Sequence, residues 1–398
     1  MDKNIEKQID EILTRGVENI YPSKEALKEV LMSGKKIKLY CGYDPTAKSL
    51  HIGNAISINK LGQFQKLGHE VIFLVGDFTG MIGDPTDKSA VRKKLTREEA
   101  LKNSENYKKQ ASGYLKFDGE NPVKILYNSE WNDKLTFKDL IEISSNFTAQ
   151  QMFQRDMFQE RIKNEKPIYL HEFLYPLAQA YDSIELNVDL EIGGNDQMFN
   201  MMCGRDLMKA VKNKEKFVLT MKLLADETGK KMGKTEGNVV NLDETAENMF
   251  GQVMAWSDGL IIPGFELCTN IPAEELKEID TKKNPRDAKL KLAYEITKIN
   301  YGEKKAKAAQ DYFINTFSKK EIPSDIAEFK INEESKKLAE ILVESGNAKS
   351  LSDARRKIEQ GGVSIDDEKI TDIQTIITQK ENKKVLKIGK LGFIKIIF

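Results

Sequence analysis

Apolar side chains recur at helical spacing at Ile5, Ile9, Ile12 and Leu13, and again at Leu27, Val30 and Leu31. They predict two amphipathic helices within residues 1–35. A short strand is expected at Lys38–Gly42. The loop Tyr43–Leu50 then leads into a helix with apolar positions Ile52, Ala55, Ile56, Ile58 and Leu61, stopped by Gly68. The run Val71–Val75 is apolar without alternation, the pattern of a strand covered on both faces. Further strands are expected at Val123–Tyr127 and Val188–Ile192, with helical stretches between them. This alternation predicts an α/β fold with an open parallel sheet and ligands at the carboxyl ends of its strands. From about Asp243 the pattern turns helical, through ETAENMFGQVMAW, AEELKEID and PRDAKLKLAYEITKINYGEKKAKAAQDYF. Residues Ser318–Asn332 are polar, include Pro323 and read as a linker to a smaller third unit.

Composition narrows the partners more than the fold. A chain of 398 residues predicts two to three domains, and 40% hydrophobic with 31% charged residues excludes wholesale disorder. Lys+Arg and Asp+Glu both total 62, so any polyanion site must be local. Cys41, Cys203 and Cys268 lie far apart, with neither a disulfide framework nor zinc-ligand spacing, which suits a reducing compartment. The charged amino-terminal stretch lacks the apolar core of a signal peptide, and the longest apolar runs are strand-sized. The expectation is a cytoplasmic protein with no membrane segment and no metal site of its own.

Two segments carry chemistry. In LYCGYDPTAKSLHIGN, residues 39–54, a strand ends, a loop presents Asp44, Thr46 and His51, and a helix opens at Gly53. Free N–H groups at a helix start favour an anion, and glycine lets a ligand lie against the backbone. The same residues also fit a plain turn and a helix cap. In Lys231-Met232-Gly233-Lys234-Thr235, two lysines sit three apart in a Gly-flanked loop. Such a loop can close over a polyphosphate, though alone it also fits a solvated surface loop.

Together, His-Ile-Gly-Asn at 51–54 and Lys-Met-Gly-Lys-Thr at 231–235 resemble the paired signatures of class I aminoacyl-tRNA synthetases, with Asn54, Gly233 and Thr235 as departures. Four further segments resemble tyrosyl-tRNA synthetases in particular: Tyr40-Cys41-Gly42-Tyr43-Asp44-Pro45-Thr46, Gly80-Met81-Ile82-Gly83-Asp84-Pro85, Tyr175-Pro176-Leu177-Ala178-Gln179-Ala180-Tyr181-Asp182, and Ile192-Gly193-Gly194-Asn195-Asp196-Gln197. Glu191 stands where many members carry Gln.

The resemblance implies a Rossmann-like catalytic domain over 1–242, with the first signature at 51–54 and a mobile lysine loop at 231–235. It further implies an α-helical anticodon-side domain over 243–322, a linker over 323–333 and a small α+β RNA-binding domain over 334–398. The implied reaction activates L-tyrosine with ATP and transfers it to tRNA(Tyr). Tyr40 and Asp182 would bond the phenol, Asp84, Tyr175 and Gln179 the ammonium, and Gln197 would sit near the carboxylate. Asp44, His51, Gly53, Asn54, Asp196 and Lys234 would hold ATP. Thr46, His51, Lys88, Arg92, Lys231, Lys234 and Thr235 would hold the phosphates as pyrophosphate leaves. A carboxylate is already ionised at neutral pH, so the reaction requires no strong base and rests on positioning and charge stabilisation. Mg²⁺ would arrive with ATP, and no tightly bound cofactor or zinc is expected.

Residues 334–398 contain 13 Lys+Arg against 10 Asp+Glu. They resemble the small RNA-binding module named after ribosomal protein S-four. Lys349, Ser350, Arg355, Arg356 and Lys357 would form its RNA-backbone face, although the same residues fit a solvated helix. The family implies a homodimer. The competing expectations are a tryptophanyl-tRNA synthetase, a small-metabolite adenylyltransferase and a non-catalytic RNA-binding descendant.

Overall fold

The computed structural model describes residues 3–84, 95–225, 239–279, 281, 284–318, 327–366, 368–389 and 392–398. The chain divides into two compact units, residues 1–310 and 311–398.

The first unit is built on a six-stranded sheet. Its strands are β1 (Val17–Tyr21), β2 (Lys38–Tyr43), β3 (Glu70–Val75), β4 (Lys124–Tyr127), β5 (Leu190–Gly194) and β6 (Phe217–Met221), in the order β1-β6-β5-β2-β3-β4. Only β1 runs antiparallel, at the edge against β6. The parallel α/β expectation holds because β3 is buried from Val71 to Val75 between two neighbours. The helix Ile52–Lys66 connects β2 to β3, and Gly68, at φ +87°, supplies the left-handed turn after it.

Sequence periodicity places two helices in residues 1–35; the structure adds β1 between them. Val17–Tyr21 has no clean alternation, being an edge strand with only Glu18 exposed. The strand β6 also lacks a local signal, since five buried residues in a row fit a buried helix turn as well as a strand.

Chain direction across the sheet reverses between β2 and β5: β3 and β4 lie to one side of β2, and β6 lies beyond β5. The pairing of β2 with β5 covers only Leu39–Leu190 and Tyr40–Glu191, whereas β2 follows β3 as far as Tyr43–Val75. Beyond Tyr40 the two strands part, which opens a crevice at the switch point of the sheet, where open α/β folds bind ligands.

The Leu174–Leu186 and Met198–Lys212 helices share a core of Leu177, Ala180, Ile184, Cys203, Leu207 and Met208. The helices Ala246–Met254, Ile261–Cys268 and Pro285–Tyr301 bury Met249, Phe250, Phe265, Leu292 and Ile296. These helices, which the sequence pattern sets apart from residue 243 on, fall within the first compact unit, which extends to Gln310. Part of the reason is Arg15, whose guanidinium donates to the carbonyls of Phe265, Glu266, Thr269 and Ile271 and so caps the Ile261–Cys268 helix from the amino-terminal segment.

In the second unit, β7 (Glu328–Lys330), β9 (Val363–Ile365), β10 (Glu368–Ile370), β12 (Val385–Ile388) and β13 (Gly392–Ile397) form a sheet in the order β10-β9-β12-β13-β7, while β8 (Ser335–Lys337) pairs with β11 (Ile376–Thr378). Leu338, Ile341, Leu342, Ala354 and Ile358, from the helices Leu338–Glu344 and Leu351–Glu359, pack with Leu386 and Ile396. The strand β7 lies inside the stretch expected to be a linker; it pairs with β13 over Glu328–Lys330. Three residues are too few to display a period.

Candidate active site

The strand β2 delivers Tyr40 to the crevice floor, 1% exposed. Its hydroxyl lies 3.1 Å from Ser183 Oγ on the Leu174–Leu186 helix. One turn of that helix separates Gln179 from Asp182 and Ser183, so all three face the carboxyl ends of β2 and β5. Asp182 is 2% exposed and accepts three neutral donors: Trp131 Nε1 at 2.7 Å, Asn132 Nδ2 at 3.1 Å and Asn128 Nδ2 at 3.2 Å. Burial outweighs those donors, and with the nearby Glu191 charge it pushes the Asp182 carboxyl up to about 8. Burial also raises the Tyr40 and Tyr175 hydroxyls well above their ordinary value, so both are neutral donors.

A second chain of bonds runs toward the loop after β2. Asn128 Nδ2 also donates to Thr79 Oγ1 at 3.1 Å, Thr79 donates to Asp44 Oδ1 at 2.6 Å, and Tyr175 donates to Asp44 Oδ2 at 2.9 Å. Gly76 makes room for this: a Cβ there would lie 2.0 Å from Asp44 Oδ1. On the other flank Gln179 Nε2 donates to Glu191 Oε1 at 2.9 Å, and Lys216 forms a buried ion pair with Glu191 Oε2.

The loop that carries Thr46 and His51 is held by side chains from outside it. Asn103 donates to Pro45 O at 2.9 Å, Tyr107 to Ala47 O at 2.6 Å and Gln110 to Lys48 O at 3.0 Å, while Leu50 N donates to Gln110 Oε1 at 2.7 Å. Thr46 is exposed at the rim. His51 is the N-cap of the Ile52–Lys66 helix, but the capping side chain is Asn54, whose Oδ1 accepts from His51 N at 3.0 Å. The His51 ring lies over Gly53, where a Cβ would meet it at 3.0 Å.

Asp84 accepts from Gln197 Nε2 at 2.6 Å and lies 3.5 Å from Arg155, whose side chain is 4% exposed and sits over the Phe158 and Phe199 rings. Asn200 Nδ2 holds Gln197 Oε1 at 3.0 Å. Asp196 is exposed just past β5, and a Cβ on Gly194 would meet its Oδ1 at 2.6 Å.

The structure therefore brings Tyr40, Asp44, Tyr175, Gln179 and Asp182 into linked networks, with Asp84 and Gln197 in a third. Lys88, Arg92, Lys231, Lys234 and Thr235 lie outside the described residues. The chain leaves β6 just before the lysine motif and returns beside the first signature: Ile52 N donates to Val240 O at 2.9 Å, Leu242 N donates to Leu50 O at 2.8 Å, and Asn241 bridges His51. Val240–Leu242 are thereby tied to Leu50–Ile52.

Residues that sequence reasoning missed are Thr79, Asn128, Trp131, Asn132, Arg155, Ser183 and Lys216. One signal was available: Glu191, an acid in an otherwise apolar strand, requires a buried partner. Tyr181 donates to Glu185 Oε1 at 2.5 Å and packs with the Leu174–Leu186 helix core. A cleft of about 520 Å³ at the amino ends of the strands is lined by Lys38, Glu70, Lys124, Asp189 and Lys214; its charges pair with one another, Lys124–Glu70 at 2.8 Å and Lys214–Asp189 at 3.1 Å. It has none of the buried donor–acceptor chains of the crevice.

In the second unit, Ser350 caps the Leu351–Glu359 helix by accepting from Asp353 N at 3.2 Å. Arg356 and Lys357 pair with Asp353 at 2.6 Å and 3.2 Å, and Lys349, Arg355 and Arg356 are exposed. All three cysteines are free and buried. Among the described residues no helix is long and apolar enough to cross a membrane.

Residues 32–318 match the family model described as tRNA synthetases class I (W and Y), and residues 318–391 match the tyrosine–tRNA ligase SYY-like C-terminal domain. A tyrosine–tRNA ligase of Thermotoga maritima is 41% identical over 397 residues, covering 98% of this chain and 97% of that protein. One from Haemophilus ducreyi is 42% identical, covering 100% and 99%. Among solved structures, a C-terminally truncated mitochondrial tyrosyl-tRNA synthetase of Coccidioides posadasii superposes with a TM-score of 0.64 at 24% identity, over 78% of this chain and 94% of that one. The fold is also that of an Archaeoglobus fulgidus tyrosyl-tRNA synthetase complexed with L-tyrosine, at TM-score 0.56 and 20% identity, over 77% of this chain and 99% of that one.

Proposed function

The chain belongs to the class I tRNA synthetases, in the tyrosine–tRNA ligase branch, and from that premise we propose how its residues divide the work. The enzyme is an ATP-dependent aminoacyl-tRNA ligase that activates L-tyrosine and passes it to the 3′ end of tRNA(Tyr). The observation that carries the assignment of roles is the convergence of Tyr40, Gln179 and Asp182 on the crevice where β2 and β5 part, with the fixed His51 loop beside it.

The phenol of tyrosine lies between Tyr40 and Asp182. A buried acid and a buried hydroxyl left without the substrate's O–H penalise phenylalanine. Tyr175, Gln179 and Asp84 receive the ammonium end, and Gln197 orients the carboxylate. Asp84 also faces Arg155 at 3.5 Å and accepts from Gln197 at 2.6 Å. ATP lies across Gly53, Asn54 and Asp196, with Asp44 below it. The tyrosine carboxylate attacks the α-phosphate and pyrophosphate departs. Thr46 and His51 steady the leaving phosphates from a loop already tied down by Asn103, Tyr107 and Gln110, so little reorganisation accompanies the step. Lys231, Lys234 and Thr235, with Lys88 and Arg92, close on the phosphates from the other side. Mg²⁺ enters with ATP as part of the substrate.

Lys349, Ser350, Arg355, Arg356 and Lys357 form the RNA-backbone face of the small unit. The enzyme works as a cytoplasmic homodimer. Supporting the dimer, large apolar side chains are exposed at Phe137, Ile141 and Leu170, at 79%, 54% and 84%.

The test is amino-acid-dependent exchange of pyrophosphate into ATP across a panel of amino acids. Tyrosine alone should support it. Exchange with tryptophan in place of tyrosine overturns the substrate, and no exchange with any amino acid overturns the catalytic reading.

A further inference from the structure

Beneath the crevice lies an ion pair for which the reaction has no direct use. Lys216, immediately before β6, is 0% exposed, and Glu191 on β5 is 2% exposed. Each has a second bond toward the amino-acid pocket. Lys216 Nζ donates to Ser183 Oγ at 2.9 Å, and Ser183 Oγ lies 3.1 Å from the Tyr40 hydroxyl. Glu191 Oε1 accepts from Gln179 Nε2 at 2.9 Å. Gly204 shapes the niche: a Cβ there would lie 2.6 Å from Lys216 Nζ and 2.8 Å from Ser183 Oγ.

The direction of these bonds follows from the chemistry of the groups. An ammonium only donates, so Ser183 accepts from Lys216. The positive charge turns the Ser183 hydroxyl hydrogen away, toward Tyr40. Tyr40 then accepts from Ser183 and keeps its own hydrogen to give. Glu191 is the nearby competitor for that hydrogen and reaches Tyr40 as well; Lys216 on one of its oxygens and Gln179 on the other weaken that competition. On the same logic, Gln179 has its amide nitrogen committed to Glu191, which leaves its carbonyl oxygen for a cation.

We propose that the buried Glu191–Lys216 pair is a specificity-determining positioning device, which polarises Ser183 and Tyr40 so that Tyr40 donates to the phenol oxygen of tyrosine, and which turns the Gln179 carbonyl toward the substrate ammonium. The proposal rests on the assignment of this crevice to tyrosine. Lys216 and Glu191 are positioning residues, acting through Tyr40 and Gln179.

The experiment compares the full-length wild type with the paired variant Glu191→Gln/Lys216→Met, with Ser183→Ala, and with the triple combination. Pyrophosphate exchange is measured against tyrosine and against phenylalanine, with KM for ATP as the reference. The paired variant removes both charges together, so no lone buried charge is left, whereas Lys216→Met by itself would strand the Glu191 carboxylate. The paired variant and Ser183→Ala should each lower the tyrosine-to-phenylalanine ratio of kcat/KM by about tenfold or more, with KM for tyrosine raised and KM for ATP within about twofold of wild type. The triple variant should lose little beyond either parent, since all three changes interrupt one relay. A folded paired variant that keeps the wild-type ratio within about twofold overturns the proposal, and so does full multiplication of the two losses in the triple variant. If the paired variant fails to fold, Ser183→Ala, which leaves the ion pair in place, decides by the same ratio. A wild type that exchanges nothing with tyrosine removes the crevice assignment itself, an outcome separate from loss of the relay.

Discussion

The substitution Asp182→Asn tests the central electrostatic statement about the crevice. In the folded protein burial raises this carboxyl from an ordinary 3.8 to about 8, with Glu191 adding to the rise and Trp131, Asn128 and Asn132 opposing it. The folded state therefore holds a proton that the unfolded chain has released over roughly pH 4 to 8. For a raised carboxyl, the associated stability is complete below about pH 4 and is lost as pH climbs through about 8. Each pH unit between the two midpoints is worth about 1.4 kcal/mol, so the ceiling is roughly 5–6 kcal/mol over the whole span. The amide of the Asp182→Asn variant does not titrate, and the slope should vanish. At pH 5 the variant should be less stable by about 1–3 kcal/mol, because its amide turns a donor toward Asn128 or Asn132. Between pH 5 and 8.5 the difference should move in favour of the variant by about 2–4 kcal/mol. Urea unfolding followed by tryptophan fluorescence reads this directly, since Trp131 donates to Asp182 and both tryptophans, Trp131 and Trp256, lie in the first unit. A difference that stays flat within about 0.5 kcal/mol across this range would refute the reasoning, because Asp182 would then be ionised throughout in the fold.

Other expectations follow from the same geometry. Arg15→Ala strands carbonyls of Phe265, Glu266, Thr269 and Ile271 and should lower stability by about 2–4 kcal/mol in urea, with KM for tyrosine unchanged. On the role proposed for Lys234 at the departing phosphates, Lys234→Ala should slow adenylate formation far more than it weakens tyrosine binding; a pure loss of tyrosine affinity in equilibrium titration would end that role. Lys349→Ala with Arg355→Ala should raise KM for tRNA and flatten its salt dependence by about one unit of slope per lost phosphate contact, with tRNA-independent exchange as the internal reference.

Much of the architecture was readable from local pattern. The apolar run of β3 and the helix after the first signature each bury or punctuate within one segment, so their periodicity is sufficient. The edge strand β1 and the short β7 were not readable, because their partners, β6 and β13, lie at distant positions in the chain. For the crevice, the short motifs pointed to Tyr40, Asp44, Tyr175, Gln179 and Asp182 as residues of one site. They did not say which protein groups would hold each in place. Asp182 meets three neutral donors from the segment after β4, and Asp44 meets Thr79 and Tyr175 from two different elements.

Lys216 shows the dividing line most clearly. In the linear chain it sits among Lys212, Lys214 and Glu215 and looks like one more solvated charge before a strand. Folding places β6 beside β5, seals the ammonium at 0% exposure against Glu191, and hands it Ser183. Motif order along the chain settled the family and the kind of chemistry, because those motifs are contiguous and each carries its own turn, strand end or helix start. The charge state of the buried acid, the direction of the hydrogen-bond relay and the partners of each polar group were decided by the folded arrangement, since desolvation and pairing depend on which remote segments exclude water from the same few ångströms.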